Sequence, residues 1–224
     1  MTVTENPLLF SVLALISLMP AAFVAWRPTA VRDSLFWVVT GLALAGPTGW
    51  CVAQLSGPWQ TSLSSSLWVT VAASMALYVA LALWTRSIWR LAPLLLPYLC
   101  LVAAIATIWA QVPGKPLPTE TPVTWVEIHI VFAVLTYSLL TIGAVSGVAV
   151  MLQEHALKTK RPTRLTALLP SVVDAERMQV RLLGATEIVL GFGLLTGVAT
   201  QFVETGGAMV INHKTVLSLV AFVV

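Results

Sequence analysis

Long apolar runs fill the chain, broken by short polar or proline-containing connections. A helix needs about 20 mostly apolar residues to cross the hydrocarbon of a bilayer. Runs of that kind stand at 8–26, 35–55, 66–84, 91–110, 125–152 and 180–203, and they predict six spans. A seventh apolar stretch starts near Thr215 and reaches Val224 as TVLSLVAFVV. That stretch is too short to cross, so the expectation is a C-terminally incomplete seventh helix. The fold class expected is all-α: one polytopic transmembrane helical bundle over residues 1–224, with six complete spans plus a truncated seventh.

Composition agrees with a protein whose solvent is lipid. The 224 residues are 58% hydrophobic and only 9% charged, with mean hydropathy +0.91, where soluble domains carry about 25% charge. The net charge of +3 does not point to nucleic acid, because the basic residues are grouped by loop rather than set in a stripe with interleaved aromatics. Arg27, Arg32, Arg86, Arg90, Lys158, Lys160, Arg161, Arg164, Arg177 and Arg181 fall after the first, third and fifth spans, whereas the other connections hold only Lys115 and Lys214. The positive-inside rule then puts the former connections in the cytoplasm and the N-terminus outside. The outer loops become 56–65, 111–124 and 204–214. Pro113, Pro116, Pro118 and Pro122 stiffen the second of these. The segment 153–177 is the longest polar one and predicts a short surface piece rather than a domain. Met1–Pro7 lacks a basic start and contains Glu5, so a cleaved signal peptide is not expected. Most of the nine tryptophans flank spans, as an aromatic belt would. Trp59 and Trp109 border outer loops and could also cover a cofactor. Cys51 and Cys100 form no CxxC and read as small buried apolar residues.

Chemistry narrows to a few positions. His129 heads the fifth span, with Trp125, Phe132, Ala133 and Thr136 at helical spacing around it. An imidazole at the mouth of a membrane helix is costly to place, and imidazole ligates iron. An axial nitrogen with aromatic and apolar walls suits a planar apolar cofactor such as haem; a histidine hydrogen-bonding at the interface is the plainer alternative. His213, followed by Lys214, is either a second axial ligand, with Lys214 beside a propionate, or a solvated loop residue. His155 reads as a solvated helix end. Glu187 lies inside the sixth span, either snorkelling or pairing near the cytoplasmic face or serving an ion path. Gly143 and Gly147, with Gly191, Gly193 and Gly197, read as close helix packing.

The segment Val126–Tyr137, with His129 at its head, resembles the first external histidine motif of the cytochrome c assembly family, the CcsA/CcmC-type haem-handling membrane proteins. Leu194-Leu195-Thr196-Gly197 is similar to the family's TG before its external haem loop, and Lys214-Thr215 with LSLVAFVV to the lysine and helix after it. The resemblance covers residues 120–224, the first four spans matching by topology alone, and looks closest to the YpjD-type inner-membrane proteins. It implies haem as cofactor, with His129 as ligand, and apocytochrome c or other assembly proteins as partners beside the bilayer. The chain departs from the family in the loop Gln201–His213, which has no tryptophan and no aspartate; Asn212-His213 stand where the family has Trp-Asp. The tryptophan-rich docking platform therefore does not carry over, and the second external histidine would fall after Val224.

The reading that results is haem binding or handling at the outer face of a bacterial inner membrane, in support of cytochrome c assembly, with no turnover chemistry. His129, Trp125, Phe132, His213 and Lys214 would form the site, with His129 and His213 on the metal and Lys115 or Lys214 offsetting propionate charge. A regulatory membrane protein, acting through its basic loop with or without haem, and a small-solute or ion transporter remain the alternatives.

Overall fold

The computed structural model describes residues 6–27, 31–55, 60–85, 87–112, 114–116, 123–205 and 213–223. The helices are α1 (Pro7–Ala25), α2 (Ser34–Leu55), α3 (Leu63–Trp84), α4 (Ala92–Ile108), α5 (Val123–Thr159), α6 (Arg164–Leu168), α7 (Val172–Thr205) and α8 (His213–Val223), with a 3₁₀ turn, Ile88–Leu91, leading into α4. Among the described residues six helices are long and apolar enough to cross a membrane, which matches the six expected spans. The eleven residues of α8 rise about 16 Å at 1.5 Å each, half a bilayer.

In lipid every backbone group must be satisfied within its own segment, which makes these runs helices. Many of their hydroxyl residues follow the same rule, although Thr40, Ser64 and Ser74 are buried without a partner among the described residues. Thr107, Thr136, Ser138, Ser146 and Thr186 each donate to the carbonyl four residues back, at 2.7–2.9 Å. Pro20, Pro47 and Pro97 sit inside α1, α2 and α4, where such self-bonding and neighbouring helices make proline tolerable.

α1 to α4 form a compact group: α1 packs on α2 and α4, and α3 on α2 and α4. A Cβ at Gly46 would fall on the hydroxyl oxygen of Ser17, so glycine is what lets α2 approach α1. At the heart of the group Trp50 stacks on the fully buried Trp68 with ring centroids 5.7 Å apart, and its indole N–H donates to Ser11 Oγ at 3.1 Å. α5 joins this group through α3, and α7 rests on α5 and α8.

Two features differ from the sequence expectation. α5 has 37 residues, about 55 Å, and α7 has 34. Both run past their apolar stretches because Gln153–Lys158 and Asp174–Gln179 are polar but good helix formers. The segment 153–177 is therefore mostly helix extension, with only α6 as the short piece. Gln153 donates to Thr166 O and Pro170 O, both at 2.8 Å, and Arg164 donates to Trp26 O at 3.1 Å, clamping α6 across this end of the bundle. At the opposite end two connections meet in a two-residue antiparallel ladder, β1 (Gln60–Thr61) with β2 (Lys115–Pro116). Trp59, Arg86, Pro113, Pro118 and Pro122 and the side chain of Lys115 lie outside the described residues.

Candidate functional site

His129 lies two turns into α5, on the side that meets α7. Its Nδ1 stands 3.1 Å from Gly193 O and 3.3 Å from Thr196 Oγ1. A carbonyl oxygen can only accept, so the bond to Gly193 requires the proton on Nδ1. Thr196 spends its own proton on helix carbonyls, 2.9 Å from Gly193 O and 3.0 Å from Phe192 O, and is left as an acceptor. In the neutral ring this leaves Nε2 as the nitrogen with the lone pair, outside these contacts. A histidine oriented by Nδ1–H to a backbone carbonyl is the usual arrangement at metal centres, where the second nitrogen ligates.

Gly197 makes room for the ring. A Cβ there would stand 3.0 Å from His129 Cε1 and 3.4 Å from Nδ1, so any side chain would press on the imidazole. The other glycines of this interface serve packing, as read from the sequence. Gly143 faces Leu182 and Leu183, Gly147 faces Gln179, and Gly191 faces Phe222 of α8.

His129 opens on a cleft of about 480 Å³ between α5, α7 and α8, within the roughly 300–1,000 Å³ of small-molecule sites. Ala133, Thr136, Tyr137 and Leu140 line it from α5, Leu190, Leu194, Val198 and Gln201 from α7, and Leu217 and Ser218 from α8. The cleft follows α5 from His129 to Leu140, about 16 Å of helix. Its walls are mainly apolar, and His129, Thr136, Tyr137, Gln201 and Ser218 supply the polar side chains.

The sequence-derived site residues are distributed unevenly. Ala133 and Thr136 line the cleft with His129, whereas Phe132 turns to α7 and stacks on Phe192 at 5.8 Å between centroids. Trp125 is exposed one turn before His129 and is not among the lining residues. His213 and Lys214 open α8 one turn before Leu217; their side chains lie outside the described residues. His155 is exposed at the far end of α5. Glu187 forms no ion pair among the described residues, and neither Arg177 nor Arg181 reaches it. Tyr137, Leu190, Gln201 and Ser218 line the cleft as well, beyond the residues expected from the sequence. Tyr137 was within reach, since it stands eight residues after His129 and so on nearly the same helical face.

The chain matches the family model described as cytochrome C assembly protein over residues 59–224, a region that contains α3 to α8. The chain belongs to the cytochrome c assembly family. Every residue of the His129 cleft falls inside the matched region. Among curated proteins it is 47% identical over 222 residues, covering 97% of this chain and 82% of the relative, to a protein of Azospirillum brasilense described as an uncharacterized 28.8 kDa protein in a nifR3-like 5′ region. No solved structure matches the chain. Family membership and the six apolar helices make this a multi-pass membrane protein of cytochrome c biogenesis.

Proposed function

We propose that the cleft binds haem, with His129 Nε2 as an axial ligand to the iron. The observation that carries this reading is the Nδ1 contact with Gly193 O on a histidine that lines the cleft; among the described residues no hydrogen bond engages Nε2. The ligand count supports it. Among the described residues no group of three or more His, Cys, Asp or Glu side chains converges, as a bare ion would need. A porphyrin brings four nitrogens of its own and asks the protein for one or two.

Bound haem would supply an iron centre able to take a nitrogen ligand from the protein. The chain's own residues do the rest. Gly193 and Thr196 fix the imidazole, Gly197 admits it, and the apolar walls from Ala133 to Leu140 and from Leu190 to Val198 exclude water. His213 is the proposed second ligand, and Lys214 or Lys115 the proposed offset to propionate charge. The positive-inside rule supports a cytoplasmic α6 end and a His129 end at the outer face, which we take to be that of a bacterial inner membrane. There the protein would hold haem and pass it toward apocytochrome c or another assembly protein, without turnover. The test is the absorption spectrum of the protein purified from cells supplied with ample haem. A Soret band is expected, lost or shifted in His129→Ala while membrane insertion persists. No band, or a band untouched by His129→Ala, overturns the assignment.

A further inference from the structure

α7 has a second face with no partner among the described helices. Val180, Ile188 and Leu195 are each about two-thirds exposed there, at 65, 65 and 68%. Gly184 has open space around it. This is the surface of a helix meant for lipid, yet Arg177 and Arg181 stand on it, both exposed and one helical turn apart.

Their depth follows from the packing register. Gly143 of α5 faces Leu182 and Leu183 of α7, and Gly147 faces Gln179. Arg181 is therefore level with about Ala144, and Arg177 with about Val148. The apolar run of α5 continues to Leu152. At 1.5 Å per residue the two α-carbons lie about 12 and 6 Å to the bilayer side of Leu152. The packing register thus moves both arginines, counted from the sequence with the cytoplasmic connection, to the edge of the α7 span. An exposed arginine there is costly unless its side chain snorkels to the interface or an anion meets it. Asp174 and Glu176 are the nearest acids along the helix. Asp174 Oδ2 accepts from Ser171 Oγ at 2.9 Å, and among the described residues neither acid lies within ion-pair distance of Arg177 or Arg181. Several cations elsewhere at this end have partners: Arg27 pairs with Asp33, Lys158 with Glu154, Arg164 donates to Trp26 O, and Arg32 stacks over Trp37.

We propose that Arg177 and Arg181 form a binding site for the phosphodiester of an anionic phospholipid on the outward face of α7. The two guanidiniums supply forked donors suited to phosphate oxygens, and Val180, Gly184 and Ile188 give the acyl chains an apolar track toward the membrane interior. A soluble phosphate has no reason to sit at this depth. A partner helix bearing a carboxylate could meet the same charges and is the competing occupant.

The test uses the full chain in detergent and native mass spectrometry, with phosphatidylglycerol and phosphatidylcholine as probes. The protein is expected to retain phosphatidylglycerol preferentially. Each arginine removed should weaken retention about fivefold, so Arg177→Gln with Arg181→Gln nearly abolishes the preference. A variant of equal charge loss at the α5 tip, Lys160→Gln with Arg161→Gln, should keep it. Arg181→Lys, which preserves the charge, should lower retention less than Arg181→Gln and covers the case in which the double variant fails to fold. Equal retention of the two lipids, an equal loss in both double variants, or displacement by millimolar glycerol phosphate overturns the proposal. So does preferential capture of a carboxylate-bearing model transmembrane helix over the lipid.

Discussion

At the scale of single residues the account turns on one imidazole and the backbone that aims it. Ligation needs the Nε2 lone pair. His155→Ala should leave the haem spectrum unchanged, because His155 lies at the other end of α5. Gly197→Ala is the sharper probe. Its Cβ would stand 3.0 Å from His129 Cε1 and displace the ring from Gly193 O. Loss of such an orienting contact costs on the order of tenfold in affinity, so haem retention should fall by about that factor while the protein still folds. Unchanged retention would mean that the ring does not depend on this wall. The sequence offered His129 for reasons of position and cost. It could not offer the Gly193 carbonyl, because a backbone acceptor sixty-four residues away carries no side-chain signal. For the same reason Phe132 was read beside His129 from helical spacing, whereas the partner that fixes its direction, Phe192, lies on another helix.

At the scale of elements, the α5–α7 pair is the scaffold of the cleft, and small residues set its spacing. Gly147→Leu would drive a branched side chain into Gln179, whose Nε2 stands 3.0 Å from the position of a Cβ. Lower folded yield and an earlier melting transition in detergent are expected; an unchanged profile would show that α7 does not pack there. Gln153→Ala removes two hydrogen bonds that hold the α6 segment. A loss of about 1–2 kcal/mol is expected, measurable as faster amide exchange across Arg164–Leu168. The apolar runs located all six spans to within a few residues at most ends. They missed the lengths of α5 and α7, because hydropathy stops at Leu152 while helix propensity continues to Thr159. The ladder between Gln60–Thr61 and Lys115–Pro116 was illegible as well, since two-residue pairing leaves no periodic pattern.

At the scale of the molecule, the bundle has two unlike ends: one carries α6 and most of the cations, the other the His129 end of the cleft. Cysteine labelling fixes their sides. With Cys51 and Cys100 replaced, a cysteine at Thr163 should react only from the cytoplasm and one at Gln111 only from outside; the reverse would turn the cleft inward. His129 Nε2 is the proposed ligand to the iron, and chemical rescue by free imidazole probes that bond itself. His129→Gly should abolish the Soret band of the haem-loaded protein, and free imidazole at millimolar concentration should restore a band close to the original. Failure of imidazole to restore it in a folded, inserted variant, or persistence of the band without any imidazole, would contradict the account.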